Sequence, residues 1–103
     1  MALSQRTTGI TNSDATVVTA VSGRQTNVLS IDIINTGGAI AIVDIKDGST
    51  TFESFEVPAS GAASKEWCES NGIGRLITAG NNLTAATRTI SANVEITVRF
   101  GRV

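Results

Sequence analysis

Apolar and polar residues alternate along most of this 103-residue chain, and this period of two constrains the fold more than any other feature. Successive side chains of a β-strand point to opposite faces, so an alternating segment predicts a strand with one buried face. The clearest example lies near the end of the chain, where Val94, Ile96, Val98 and Phe100 alternate with Glu95, Thr97 and Arg99. No window has the 3.6-residue period of a capped amphipathic helix. The pattern therefore predicts an all-β fold.

Strand-like segments recur about every ten residues, separated by Gly, Asn, Asp and Ser. The pattern predicts strands at 15–21, 27–34, 39–46, 51–57, 62–69 and 74–79, and a long segment over 87–103 that Ala92-Asn93 divides. As for helix, the segment Thr84-Ala85-Ala86-Thr87 has room for a single helical turn at most. Seven or eight short strands predict a single antiparallel β-sandwich or jelly roll, and strand count alone does not separate jelly-roll from immunoglobulin-like topology.

Several side chains have an expected orientation within these strands. Leu29, Ile31 and Ile33 are predicted to share one buried face, and Ile40 with Ile42 predicts that the strand 39–46 begins buried on both sides. The segment 51–57 leaves two arrangements open: Phe55 and Val57 point inward with Glu53 on the same face, or Phe52 alone lies on the opposite face. We favour Phe52 packing on that second face, over a neighbouring subunit.

Turn residues separate these strands. Asp47-Gly48 predicts a hairpin because a tight turn needs positive φ, and the loop has room to extend through Ser49-Thr50. Asn35-Thr36-Gly37-Gly38 predicts another chain reversal.

The chain is long enough for one domain with one hydrophobic core. Residues 1–14 are mostly polar, with Ile10 as a single apolar residue between two polar stretches, so we expect an N-terminal arm that is either mobile or docked on a neighbour. Residues 15–103 make up the predicted β-sandwich domain.

The chain contains no histidine, no tyrosine and a single cysteine. Histidine is the commonest general acid or base and metal ligand near neutral pH, so its absence removes the usual routes to catalysis. Cys68 has no histidine available to generate a thiolate, and we interpret it as a structural thiol. We therefore expect no enzymatic activity, no cofactor and no metal site.

The charge of the chain and the length of its apolar runs argue against two classes of partner, nucleic acid and membrane. Eight basic residues are spread from Arg6 to Arg102 and the formal net charge is −1, which does not favour nucleic-acid binding. No apolar run approaches the roughly 20 residues of a membrane helix, and the start of the chain does not resemble a signal peptide, so we expect synthesis in a cytoplasm. Only 17% of residues are charged, which favours a surface covered in part by other protein chains.

Four groups of side chains suggest a metal-binding, catalytic or binding role as an alternative to a purely structural one. Asp44-x-x-Asp47-Gly48 suggests a calcium loop but lacks the ligand spacing of an EF-hand, and a structural turn is the preferred interpretation. Glu53 with Glu56, or Glu66 with Glu69, suggests a glycosidase pair, but the chain has too few aromatic residues to line a sugar cleft. Trp67, the single tryptophan, is either a core residue or an interface anchor.

The order of the elements resembles a family of virion proteins. Val28-Leu29-Ser30-Ile31-Asp32-Ile33-Ile34 runs into Asn35-Thr36-Gly37, then Phe55-Glu56-Val57-Pro58-Ala59-Ser60-Gly61 follows, and Val94-Glu95-Ile96-Thr97-Val98-Arg99-Phe100 comes last. This arrangement resembles small β-sandwich proteins of tailed bacteriophages, especially head decoration (cement) proteins and related tail accessory modules. The resemblance carries no catalytic residues.

The resemblance implies a structural protein of the virion that binds and stabilises the assembled coat lattice as an oligomer, as a trimer on local three-fold positions. Its partners would be further copies of the chain and the major capsid protein, with no nucleic acid and no membrane. The alternative is a carbohydrate- or receptor-binding module of a phage tail or adhesin. The residues proposed for the interface are Leu3, Arg6, Ile10, Phe52 and Trp67.

Overall fold

The computed structural model describes residues 3–67, 73–88 and 93–103. Nine strands lie within these residues: β1 (Leu3–Ile10), β2 (Ala15–Val18), β3 (Thr26–Asn35), β4 (Ala41–Asp47), β5 (Thr50–Val57), β6 (Gly61–Glu66), β7 (Arg75–Leu76), β8 (Leu83–Thr87) and β9 (Val94–Arg102). Cys68 lies outside the described ranges, as do residues 89–92, where the predicted segment 87–103 divides.

The strands form two antiparallel sheets that confirm the predicted all-β sandwich. The first sheet has the order β1-β9-β3-β6, with β7 also pairing with β3, and the second has the order β2-β8-β4-β5. Four antiparallel pairs are nested along the chain, each enclosing the next: β1–β9, β2–β8, β3–β6 and β4–β5. The chain therefore has the connectivity of one long hairpin that is folded over into two sheets. This strand order is that of a jelly roll rather than of an immunoglobulin-like sandwich.

The core lies between the sheets and is filled by the inward side chains of the alternating strands. In β3 and β9, Ile31 pairs with Val98 and Ile33 pairs with Ile96, and all four are fully buried. The predicted alternation of β9 is thus confirmed. Leu29, however, is only half-buried, because the register shifts between Val28 and Ser30 and leaves it as the extra residue of a β-bulge. Val28 occupies the core instead.

The polar segment expected to be an arm contains a strand. Leu3–Ile10 forms β1 at the edge of the first sheet, where it pairs with β9 from Leu3 opposite Phe100 to Ile10 opposite Val94. Backbone hydrogen bonds with β9, rather than side-chain burial, hold this strand in the sheet. Seven of its eight side chains are exposed or half-buried, and Ile10 alone lies in the core. An edge strand of this kind has no apolar alternation from which sequence patterns could predict it.

The strand β8 is the second element that the sequence did not predict. Leu83–Thr87 lies between β2 and β4 in the second sheet, and all five of its residues are buried. The sequence indicated at most a single helical turn at Thr84–Thr87 and no strand, because small alanines in a central strand are buried by their neighbours and show no alternation. The hydroxyl of Thr84 donates to the carbonyl oxygen of Gly48 at 2.6 Å, which ties β8 to the β4–β5 hairpin.

The β4–β5 hairpin is tighter than the four-residue loop that the sequence leaves open. Asp47 pairs with Thr50, so Gly48 and Ser49 form a two-residue turn in which Gly48 has a φ of 64°. Farther along, Ile45 pairs with Glu53 and Lys46 pairs with Thr51, which leaves Phe52 as the extra residue of a bulge. The bulge gives Phe52 an orientation that the simple alternation of β5 does not predict.

Candidate functional site

The first of the two carboxylates that suggested a calcium loop lies in an ion pair on the second sheet. Asp44 accepts hydrogen bonds from the Arg88 guanidinium at 3.1–3.3 Å and from the Ser54 hydroxyl at 2.6 Å. The hydrogen bond from Arg88 lowers the pKa of Asp44 below its usual value. Partial burial acts in the opposite direction, and the hydrogen bond from Ser54 lowers the pKa further. Asp44 therefore ties β4 to β5 and to the segment after β8.

The second carboxylate, Asp47, stabilises the end of the β4–β5 hairpin. One oxygen accepts from the amide nitrogen of Thr78 at 3.0 Å and from its hydroxyl at 2.7 Å, and the other accepts from Asn81 Nδ2 at 2.9 Å. Burial opposes ionisation of Asp47, but the hydrogen bonds from Asn81 and Thr78 outweigh it and lower the net pKa. In the described part of the chain, no group of three or more His, Cys, Asp or Glu residues is placed to hold a metal ion.

The glutamates considered as a glycosidase pair do not converge on a cleft within the described residues. Glu53 accepts a hydrogen bond from Lys65 Nζ at 2.6 Å, which links β5 to β6 across the two sheets. Glu56 and Glu66 are exposed on different strands, and Glu69 lies outside the described residues. The described glutamates thus occupy strand faces rather than opposite walls of a groove.

Phe52 and Trp67 pack against each other where the β5 and β6 edges of the two sheets meet. Their ring centroids lie 6.2 Å apart in an edge-to-face arrangement, and both side chains are half-buried against the core. The Lys65 ammonium lies 5.2 Å from the Trp67 ring centroid, and the Arg75 guanidinium lies 4.4 Å from that of Phe52. Phe52 therefore packs within its own chain in this structure. Each ring thus has a cation and the other ring as described neighbours.

The other residues proposed for an interface have different surroundings. Leu3 is exposed at the start of β1. Arg6 forms a bidentate ion pair with Glu95 at 2.6 and 2.9 Å, which joins β1 to β9 and lowers the pKa of Glu95. Ile10 is fully buried in the core, so in this conformation it supports the fold and does not line a surface.

Two exposed isoleucines mark surfaces that sequence patterns did not single out. Ile40 is 58% exposed, so the expectation that both faces are buried at the start of the strand 39–46 was wrong. Ile34 is also exposed, on the outer face of the first sheet beside a shallow depression lined by Asp32, Ala62 and Ser64. The exposure of Ile40 could have been predicted from its position two residues after Gly38, because a residue in a turn is not buried by paired neighbouring strands.

A third surface, which the sequence pattern also missed, lies at the end of the sandwich where β3 begins and β9 ends. Arg24 and Arg102 lie there, and their hydrogen bonds go to backbone carbonyl oxygens and to the Thr26 hydroxyl. No sequence signal could have found this pair, because its members come from two distant segments that only the fold brings together.

Three carboxylates with lowered pKa values predict how the stability of the protein depends on pH. The folded-state pKa values of Asp44, Asp47 and Glu95 lie below their usual values, so their stabilising contribution is present above the unfolded pKa of about 4. It is lost as the pH falls through the folded pKa values. Because the chain has no histidine, we expect a flat free energy of unfolding between about pH 5.5 and 7 and a steep decline below about pH 4.

Urea unfolding at a series of pH values measures this profile. Asp44→Asn serves as the matched variant, since it removes one lowered pKa and is expected to reduce the decline at acid pH. A marked change in stability between about pH 5.5 and 7 would contradict the expectation.

Comparison with known proteins establishes the fold class but no family. No protein-family model matches the chain, and no curated protein matches it significantly in sequence. Among solved structures, a chain from the capsid asymmetric unit of cyanophage Pam1 is 16% identical, with a TM-score of 0.54 over 97% of this chain and 82% of that chain.

The coat protein of Tobacco streak virus is also similar in structure. It is 8% identical, with a TM-score of 0.51 over 98% of this chain and 85% of that chain. At these identities the likeness is one of fold. The chain is thus a β-sandwich of the type found in viral capsid and coat proteins. In the described residues, no helix has the length and apolar character needed to cross a membrane.

Proposed function

We propose that this chain is a structural virion protein that decorates and stabilises an assembled bacteriophage capsid by binding its coat lattice as an oligomer. The observation that carries the proposal is the jelly-roll fold, which is similar in structure to a chain of a cyanophage capsid asymmetric unit over 97% of this chain. The virion would be its location and the host cytoplasm its site of synthesis.

The use of the charged side chains supports a structural role rather than an enzymatic one. Glu53 and Glu95 form ion pairs between strands, Asp44 forms one with Arg88 in the segment after β8, and Asp47 accepts hydrogen bonds that stabilise a hairpin. Catalytic carboxylates need a cleft and a shifted pKa that favours proton transfer near neutral pH. These carboxylates are instead used in contacts that join neighbouring segments of the fold. This use supports a function that resides in the surface of the protein.

The proposed mechanism is stabilisation by mass action. A subunit that binds the assembled lattice and has little affinity for free coat protein shifts the equilibrium towards the assembled state. The gain in free energy grows with the logarithm of the free concentration divided by Kd, so it is about 2.7 kcal/mol per site at a hundredfold excess over Kd. No catalytic step is required.

The oligomer is proposed to be a trimer in which exposed apolar side chains are covered by neighbouring copies. Leu3 on the edge strand β1, with Ile34 and Ile40, offers such side chains, and Arg6, Phe52 and Trp67 lie on or near exposed edges. Size-exclusion chromatography with light scattering tests this proposal. A mass of about three times the 10.6 kDa chain supports it, and a 10.6 kDa species at high micromolar concentration contradicts it.

Cosedimentation with capsids tests the function itself. Purified chain is mixed with phage capsids that lack it and, in parallel, with unassembled coat protein, and each mixture is separated on a sucrose gradient. We expect saturable binding to the capsids, little binding to free coat protein and greater resistance of the decorated capsids to heat. A chain that stays at the top of the gradient with capsids from its own phage would overturn the proposal.

A further inference from the structure

The edge strand β1 consists of two parts that are separated by an irregularity. Residues 3–7 pair with residues 96–100 of β9 in an unbroken register, and the register then shifts before Ile10 pairs with β9 again. Gly9 lies within this shift and has a φ of 67°, a left-handed conformation that glycine adopts at little cost. The segment 3–7 is thus joined to the rest of the chain through a hinge at Gly9.

Side-chain burial contributes little to holding the segment 3–7 in the sheet, since none of its side chains belongs to the hydrophobic core. Residues directly opposite in an antiparallel pair share a face, so Leu3 and Gln5 lie on the face that the core residues of β9 occupy. Both are nevertheless exposed. Arg6 forms an ion pair with Glu95, but an exposed pair of this kind stabilises weakly. Backbone hydrogen bonds to β9 therefore hold the segment.

The chain beyond the hinge is fixed within its own fold. Ile10 is fully buried in the core, and the carbonyl oxygen of Thr11 accepts a hydrogen bond from the amide of Thr87 at 2.8 Å. A rotation of the backbone at Gly9 therefore releases the segment 3–7 and leaves the core in place. Segments with few buried contacts are the ones that open at the lowest cost in free energy.

The contacts that the segment 3–7 makes with β9 are available in every copy of the chain. They are the backbone pairing with residues 96–100 and the ion pair of Arg6 with Glu95. Exchange of an identical element between copies keeps these contacts and changes only which chain provides them. A short hinge gives the segment an effective concentration on the order of millimolar at its own β9. Copies held side by side on a lattice offer a comparable local concentration.

We propose that the segment 3–7 exchanges between copies, so that in the oligomer it pairs with β9 of a neighbouring copy in the register that it has within one chain. The proposal rests on the proposed function, which supplies the neighbouring copies. The structure shows both the surface, which is the edge of β9, and the strand that covers it. In a ring of three, each copy donates its segment to the next, and the ring closes with every β9 edge covered.

Disulfide trapping between two single variants tests the exchange. Ser4 lies directly opposite Arg99, and both side chains are exposed. Directly opposite residues of antiparallel strands have a spacing that suits a disulfide. Ser4→Cys and Arg99→Cys are prepared as separate chains of different mass, each with Cys68→Ser, so that neither chain can form the disulfide within itself. Thermal unfolding first establishes that each variant folds.

The two variants are mixed in urea at about 1 mM each and refolded together in a glutathione redox buffer, in which disulfides of unsuitable geometry are reduced again. Non-reducing electrophoresis then separates the products by mass. We expect a covalent product that contains one chain of each variant and disappears on reduction.

Asp32→Cys and Ser64→Cys, also with Cys68→Ser, provide the matched control. Asp32 lies directly opposite Ser64 on the outer face of the same sheet, and both are exposed. The strand β3, however, lies between β9 and β6 and carries core residues, so it cannot exchange without opening the core. We expect the mixed control variants to give at least about tenfold less mixed product, and the double variant Asp32→Cys/Ser64→Cys to close its disulfide within one chain.

A locked variant tests whether the oligomer needs the exchange. Ser4→Cys/Arg99→Cys with Cys68→Ser is oxidised in dilute solution, where the segment 3–7 pairs within its own chain and the disulfide fixes it there. After concentration, we expect light scattering to give the 10.6 kDa mass of one chain for the oxidised variant, and a return to the mass of the oligomer when the disulfide is reduced.

The outcomes separate this proposal from the proposed function. A mixed product no more abundant than in the control overturns the exchange, whether β9 keeps its own segment or accepts a strand of another protein, and leaves binding to capsids as a separate result. An oxidised locked variant that still assembles overturns it as well. A mixed product together with a wild type that fails to bind capsids overturns the proposed function and keeps the exchange.

Discussion

Replacing Gly74 by alanine is expected to cause the largest loss of stability of any single methyl addition in the described chain. A β-carbon at this position would overlap the carbonyl oxygens of Val28 and Trp67, both of which belong to the backbone. The amide of Gly74 also donates to Asn27 Oδ1 at 2.8 Å, so the segment cannot move away without losing that hydrogen bond. We expect a decrease of about 3 kcal/mol or more in the free energy of unfolding.

Urea unfolding followed by circular dichroism measures this decrease, and Gly38→Ala is the matched control. A β-carbon added to Gly38 would meet no heavy atom within 4 Å, and Gly38 has no positive φ, so its substitution is expected to change stability by less than about 0.5 kcal/mol. Equal stabilities of the two variants would show that the backbone around Gly74 adapts without cost, contrary to the close approach seen in the structure.

Replacing Asn35 by aspartate is expected to be comparably destabilising at neutral pH. Asn35 is almost fully buried, and its Nδ2 donates to the carbonyl oxygens of Ala39 at 2.8 Å, Pro58 at 3.2 Å and Val57 at 3.4 Å. An ionised carboxylate there would face carbonyl oxygens and donate nothing. The cost of leaving a buried charge without a partner is about 3 kcal/mol or more.

The pH dependence of the free energy of unfolding of Asn35→Asp distinguishes the effect of a buried charge from the effect of altered packing. Protonation restores one donor, so the pKa of the introduced carboxyl is expected to be raised in the folded state above the unfolded value of about 3.9. A raised folded pKa gives stability that is present below the unfolded pKa and is lost as the pH rises through the folded pKa. The variant should therefore lie closer to the wild type at about pH 4 than at pH 7.

Asn12→Asp provides the control, because Asn12 is exposed in the connection between β1 and β2. We expect it to have the stability of the wild type at both pH values. A destabilisation of Asn35→Asp that does not change with pH would indicate lost packing rather than a buried charge, and would contradict this account.

The alternation in the sequence was sufficient to predict the strands that bury one face. In β9 and in most of β3, the buried residues Ile96, Val98, Ile31 and Ile33 occupy the predicted face. The signal is local, because one strand with one buried face imposes its period on its own residues regardless of its partners. The turn at Gly48 was predictable for the same reason, since positive φ is a property of one residue.

Patterns failed where burial depends on neighbouring strands. The strand β8 is buried throughout since it lies between β2 and β4, and β1 is exposed on most of its length since it lies at an edge. The bulges at Leu29 and Phe52 arise from the register with a partner strand, which no single strand encodes. These differences account for the half-buried Leu29 and for the packing of Phe52 on Trp67.

The sequence alone thus determined an all-β sandwich without histidine chemistry, because period-two alternation and amino-acid composition are properties of the chain itself. Only the tertiary structure decided that the sandwich is a jelly roll, since pairs such as β1 with β9 join opposite ends of the chain. It also brought together Arg24 and Arg102, which are 78 residues apart, at one end of the sandwich. Surfaces of this kind are assembled by strand order, and strand order is a long-range property that local side-chain patterns do not encode.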